Sequence, residues 1–266
     1  MIFHSTFEYS YLLLPLIGFT IGLLASMMGS GGGFFFLPVL ILFFDVPAQV
    51  AVATSLAATL PICIVGSYGH YRKGHTDLGI GLVFIITGIL GAVAGARFTS
   101  IMTAGQLKTG FGIYSILISI PIFINSRKGR KAADGETKTP QRIGFKSISR
   151  GTFYGLLAGV ITGTFGTSGV APVLAGLFSL RMPVKLVVGT SILIVLVNTV
   201  SALSAHFFVG KIDLTLVYFL TSGAIVGAFA GPKILAGIKF GQAGNRIRIG
   251  YAVAMIVFGV IIILAK

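Results

Sequence analysis

Eight stretches of this chain are apolar enough to cross a bilayer, which takes about 20 residues per helix. They run over about 11–29, 47–71, 77–97, 105–125, 151–167, 184–209, 213–232 and 246–265. Composition agrees: 55% of the residues are hydrophobic and 10% charged, against roughly 25% charged in soluble domains. Mean hydropathy is +0.98. A cytosolic globule is excluded. The 37 glycines read as close helix crossings, because small residues let helix backbones approach each other in lipid. The N-terminus lacks a basic leader and a small-residue cleavage site before its first apolar run, so that run reads as an uncleaved span.

Two shorter apolar stretches, Phe34–Phe44 and Val170–Leu180, each follow a glycine-rich turn and each contain a proline, Pro38 and Pro172. Eleven helical residues reach only about 16 Å, half a bilayer. Such segments read as broken or re-entrant, which lipid tolerates only where protein or water covers the backbone.

The chain also repeats itself. Pro47, Thr54, Ser55, His70, Gly74, Asp77, Gly91 and Gly95 recur 136 residues later as Pro183, Thr190, Ser191, His206, Gly210, Asp213, Gly227 and Gly231, with Lys233 answering Arg97. Gly18, Gly22 and Gly29 recur at an offset of 137 as Gly155, Gly159 and Gly166. An ancient duplication follows, with a first transmembrane repeat over 1–125, a basic linker over 126–150 and a second repeat over 151–266. The expected fold is an all-α polytopic membrane protein of two homologous four-span repeats, each with a Gly-rich half-helix. Four spans per half make both halves enter from one face, a parallel repeat with its pseudo-twofold along the membrane normal.

Formal net charge is +14, from 20 Lys and Arg against 6 Asp and Glu. Eight of those basic residues crowd into Arg127–Arg150, which marks a cytoplasmic segment rather than a nucleic-acid surface. With an even span count, the Arg72, Lys73 and Lys211 loops and both termini are expected on that same cytoplasmic side of the cell membrane. The single cysteine, Cys63, excludes an internal disulfide and a cysteine-cluster metal site. Four histidines without clustered carboxylates argue against any metal site.

The run Gly29-Ser30-Gly31-Gly32-Gly33-Phe34-Phe35-Phe36-Leu37-Pro38, followed by Ala53-Thr54-Ser55-Leu56 and echoed at Gly189-Thr190-Ser191-Ile192, resembles the TauE/SafE sulfite exporter or anion permease family. Both halves carry the resemblance. It implies a duplicated four-span permease for sulfite, sulfonates such as sulfoacetate, thiosulfate or related organic anions, with no cofactor. The second loop departs from the pattern, reading Gly166-Thr167-Ser168-Gly169-Val170 with fewer glycines.

Read residue by residue, the glycine loops Ser30, Gly31, Gly32, Gly33 and Ser168, Gly169 can cradle an anion on backbone N–H groups at half-helix N-termini, or can simply permit tight turns. Thr54, Ser55, Thr190 and Ser191 can donate to a sulfur oxyanion or bond back to the preceding helical turn. Asn198, a heptad after Ser191, is a further polar candidate, and Pro61 is expected to kink its helix. His70 with Asp77 and His206 with Asp213 can form proton relays at the inner helix ends, or act as helix caps. Arg97 and Lys233, expected on the outer side, can attract an anion or snorkel to the interface.

Acidic residues fall at segment ends, so the chain lacks the mid-span carboxylate on which H⁺ or Na⁺ coupling commonly rests. An anion leaving a cell with a negative interior gains about 2.3 kcal/mol per charge per 100 mV, so efflux needs no coupling ion. The expected function is export of a small anion through the bilayer, by a chain that a homodimer would also suit. A rival reading takes Ser168 and His206 as the dyad of an intramembrane hydrolase; the repetition of serine and histidine at Ser30 and His70, and the lack of tryptophan, speak against it. A non-transporting scaffold is disfavoured because polar groups at midplane depth cost energy unless used.

Overall fold

A computed structural model describes residues 2–28, 30–127, 144–236 and 240–264. Ten α-helices carry almost all of it: α1 (Leu14–Met28), α2 (Gly33–Phe43), α3 (Ala48–Arg72), α4 (Leu78–Ile101), α5 (Ala104–Arg127), α6 (Phe145–Phe165), α7 (Val170–Ser179), α8 (Val184–Val209), α9 (Leu214–Ala236) and α10 (Phe240–Leu264). A 3-10 turn over Tyr9–Leu13 leads into α1. Two short strands, Ile2–Phe3 and Ile212–Asp213, pair in parallel and tie the N-terminal segment to the α8–α9 connection.

Four stretches among the described residues are long and apolar enough to cross a membrane: Tyr9–Ser26, Ala48–Arg72, Leu78–Ile101 and Val184–Phe208. α2 and α7 are shorter, as their spacing predicts. The outer faces stay apolar; Leu82, Ile86 and Leu90, one turn apart on α4, are exposed, as side chains facing lipid are. α3 runs unbroken through Pro61.

The most extensive contacts join α4 to α6 and α1 to α9, and small residues make them. A Cβ on Gly159 would strike the Gly88 carbonyl, and one on Gly163 the Ala92 carbonyl. These contacts ascend together, since Gly155 lies on Phe84, Gly159 on Gly88 and Gly163 on Ala92, so α6 runs parallel to α4. By the same test α1 runs parallel to α9, with Gly223 on Pro15 and Gly227 on Phe19.

The long helices equated by the 136-residue offset behave otherwise. Gly66 of α3 meets Ile192 near the start of α8, while Thr54, near the start of α3, accepts from Asp213 beyond the end of α8. α3 and α8 are therefore antiparallel. So are α5 and α10, where Gly112 meets Ile263 and Gly259 meets Ile116. The two halves run in opposite directions, which overturns the parallel arrangement expected from four spans per half. The cause is the short helices: α2 and α7 each carry the chain back toward the end it entered from, so each half makes five helical passes, an odd number. Phe44, just past the end of α2, accordingly returns to Tyr11 in the turn that leads into α1, and Arg150 of α6 donates to the Ser179 carbonyl at the end of α7.

One end of the bundle thus carries Arg72, Lys73, Arg181 and the facing ends of α5 and α6. The other carries the N-terminal strand, the Lys211 loop and the end of α10. The N-terminal strand and the end of α10 lie opposite the facing ends of α5 and α6, not beside them, and Lys211 lies opposite Arg72. Most of the basic linker falls in 128–143, outside the described residues.

Candidate substrate site

Two hairpin tips meet inside the bundle. Gly31 and Gly32 at the first tip adopt φ of +70° and +81°, and Gly166 and Gly169 at the second adopt +63° and +53°. This left-handed backbone costs an L-residue roughly 1–2 kcal/mol, which accounts for glycine at each turn. A Cβ on Gly33 would come within 3.2 Å of the Ser168 amide nitrogen and 2.7 Å of Thr59 Oγ1. The first turn of α2 therefore abuts the tip that precedes α7. Helix α3 holds the second tip: the Ser55 hydroxyl lies 3.0 Å from the Gly166 carbonyl and 2.8 Å from that of Val52, and Thr59 donates to the Ser55 carbonyl. Beside them Cys63, Val170 and Val195 close an apolar wall.

Each helix N-terminus carries the equivalent of about half a positive charge, and two such ends converge here, from helices of 11 and 10 residues. Among the residues whose side chains are described no Lys or Arg is buried. The site's positive potential comes from backbone.

Buried side chains at this place carry unbonded polar atoms among the described residues: Ser168 and Asn198, with Thr167 and Thr199 next to them in sequence. Ser168 is 1% exposed and its hydroxyl is unbonded; Asn198 is fully buried and neither amide atom is bonded. Ile194 of α8 shares an apolar cluster with Val173 and Leu177 of α7, and Val195 shares one with Val170. Val195 also lies against the first tip, 3.2 Å from where a Cβ on Gly31 would stand, and Asn198 follows one turn further along α8. Asn198 lies against Gly88, which backs onto Gly159, and the neighbouring Ala158 carbonyl lies against Gly169.

The other sequence-predicted residues lie elsewhere. Thr54 and Thr190 sit at opposite ends of the bundle, where they accept from the backbone amides of Asp213 (3.2 Å) and Asp77 (2.9 Å). Ser191 bonds back to the Val188 carbonyl. Ser30 is buried, its amide bonded to the Ala25 carbonyl. Asp77 caps α4 through the Ile80 amide. Asp213 accepts from Ser5, Thr215 and Leu216 amides. Neither aspartate is bonded to its histidine among the described residues. His70 and His206, expected together at inner ends, are at opposite ends because α3 and α8 are antiparallel. His70 faces His75 with ring centroids 5.9 Å apart. His206 Nε2 is 2.7 Å from the Gly163 carbonyl, and since a carbonyl only accepts, Nε2 carries the hydrogen. Arg97 is exposed at its end of α4; α9 runs antiparallel to α4, so position 233 falls at the opposite end, and the Lys233 side chain lies outside the described residues. The pair does not share an outer face.

No serine–histidine dyad forms, because Ser168 Oγ is unbonded and His206 Nε2 is engaged by Gly163. Sequence reasoning missed Thr59, one turn beyond Ser55, and Gly88, whose lack of a side chain makes room for Asn198.

Antiparallel apolar helices enclosing two half-length helices that meet tip to tip define a polytopic membrane transporter. The chain belongs to the TauE/SafE sulfite exporter family, whose model matches residues 14–262. It is 29% identical over 231 residues to the probable membrane transporter protein YdhB of Bacillus subtilis, covering 84% of this chain and 89% of that one. The probable membrane transporter protein YunE of the same organism is 26% identical over 242 residues, 85% and 88% of the two chains. A probable membrane transporter protein of Methanocaldococcus jannaschii is 26% identical over 252 residues, 88% and 90%. The family and these relatives are transporters, not enzymes. No solved structure matches significantly.

Proposed function

We propose that this transporter exports a small sulfur-containing anion (sulfite, a sulfonate or thiosulfate) across the cell membrane, driven by the membrane potential. The observation that carries the reading is the meeting of two half-helix N-termini beside unbonded Ser168 and Asn198. Backbone N–H groups and hydroxyls bind an oxyanion without a buried cation, so the site can release its cargo as readily as it takes it. The family's name points to the same chemistry.

The described acidic residues, Glu8, Asp45, Asp77 and Asp213, lie before, between or at the starts of helices, which leaves the helix interiors without a carboxylate to couple H⁺ or Na⁺. The basic α5–α6 connection is read as cytoplasmic, which puts both termini outside; the earlier expectation of cytoplasmic termini depended on an even number of passes. Labelling of a His4→Cys variant by an impermeant maleimide in intact cells, with Gly135→Cys protected, is the expected pattern, and the reverse refutes the orientation.

Flux in proteoliposomes with a valinomycin-clamped potential and no ion gradient tests the transport reading. Sulfite or thiosulfate efflux that follows the potential is expected. Flux that ignores the potential and follows an imposed H⁺ or Na⁺ gradient overturns it.

A further inference from the structure

We propose that the species carried is a singly protonated oxyanion, of which hydrogensulfite is the simplest, and that Asn198 receives its proton-bearing oxygen. The proposal rests on the reading that the two hairpin tips form the anion site.

Charge sets the first limit. Two helix N-termini supply the equivalent of about one positive charge, and no Lys or Arg is buried among the residues whose side chains are described. A monoanion is balanced by that supply. A dianion leaves a charge uncompensated in a low-dielectric interior, where an unpaired charge is heavily penalised.

Hydrogen bonding sets the second. Asn198 presents one acceptor and one donor group, both unbonded and fully buried; rotating the amide exchanges them but leaves one of each. A fully deprotonated oxyanion offers only acceptors, so it satisfies Nδ2 and repels Oδ1. An oxyanion with one O–H satisfies both, while the Ser168 hydroxyl donates to a second oxygen.

The third limit is asymmetry. At the 136-residue offset, Asn198 answers to Ile62, Gly88 to Ala224 and Thr199 to Cys63. The polar receptor exists in the second half alone, which suits a ligand with one distinguished oxygen.

Titratable groups near Asn198 are few. Cys63 lies on α3, Tyr114 of α5 stacks on Phe165 beside the second tip, and His206 lies two turns along α8 with Nε2 held by Gly163. The facing stretches 84–95 of α4, 155–165 of α6 and 170–179 of α7 contain none.

The test measures sulfite efflux and charge movement together in proteoliposomes of the full chain, at fixed total sulfite and clamped potential. The pH is stepped through the second ionisation of sulfurous acid. The expected rate falls about tenfold per pH unit above that ionisation, in step with the hydrogensulfite fraction, while one charge moves per sulfur throughout. Titration of His206 would change the rate but not that ratio. An Asn198→Leu variant that stays monodisperse is expected to lose the preference for hydrogensulfite over methanesulfonate, a monoanion without a proton to give. A rate flat with pH, or two charges per sulfur at high pH, overturns the proposal while leaving sulfite export intact, and needs no variant to be seen. Failure to move any sulfur anion at any pH instead refutes the transport reading beneath it.

Discussion

Substituting Thr190→Val should loosen one end of the bundle and Thr54→Val the other. Valine keeps the shape of threonine and removes the acceptor for one backbone amide: that of Asp77, at 2.9 Å, in the first case, and that of Asp213, at 3.2 Å, in the second. Asp213 is 3% exposed, so its amide is left without water, a loss of about 1–3 kcal/mol. That raises local opening about 5- to 150-fold. Asp77 is partly exposed; water compensates in part, and about 0.5–1.5 kcal/mol raises opening about 2- to 13-fold. Native-state hydrogen exchange reads these equilibria segment by segment. Peptides over 72–80 should exchange faster in the Thr190 variant and peptides over 208–216 in the Thr54 variant, each leaving the other segment unchanged. If either substitution accelerates the segment at the opposite end, or both accelerate both, the two contacts do not act as separate latches and the antiparallel placement of α3 and α8 is refuted.

Two further outcomes are expected. Gly159→Ala drives a methyl group into the Gly88 carbonyl, whereas Gly250 has open space around it; overpacking costs about 1–3 kcal/mol, so the first variant should melt several degrees lower in detergent and Gly250→Ala should not. Asp213→Ala removes the acceptor that caps α9 and holds the Ser5 amide, a loss of about 0.5–2 kcal/mol, while Asp213→Asn keeps that oxygen and should restore the melting temperature; equal losses in both would assign the effect to charge instead.

Helix positions were legible because lipid demands long apolar runs, and the glycine-flanked lengths of α2 and α7 mark them as half-helices in the sequence itself. The direction of the second half was not. It depends on whether a ten- or eleven-residue helix continues the chain's path or reverses it, and hydropathy at Phe34–Phe44 is the same in either case. That one reversal moved the termini, Lys211, His206 and position 233 to the other ends from those expected. At the site, the glycine tips and Asn198 were visible as residue types out of place in a span. What hid Thr59 and Gly88 was that their parts are played against other helices: Thr59 beside Gly33 and Gly88 beside Asn198. Thr54 and Ser55 show the limit most directly, since neighbours in sequence hold different things, one a loop at the bundle's end and the other the second hairpin tip.

The parallel pairing of α1 with α9 also dictates an order of assembly. Gly18 and Leu220, which touch, are about 200 residues apart, so at 5–20 residues per second the first hairpin waits roughly 10 to 40 s after synthesis for the surface it docks on. The α4–α6 contact likewise lies between halves. Neither half can therefore complete itself in the membrane: a chain stopped after α5 leaves its first hairpin without α9 and its α4 without α6. Two fragments divided between α5 and α6 and made in the same cell carry every such contact between them, and the interlock itself, rather than the peptide joining the halves, is what holds them as one molecule.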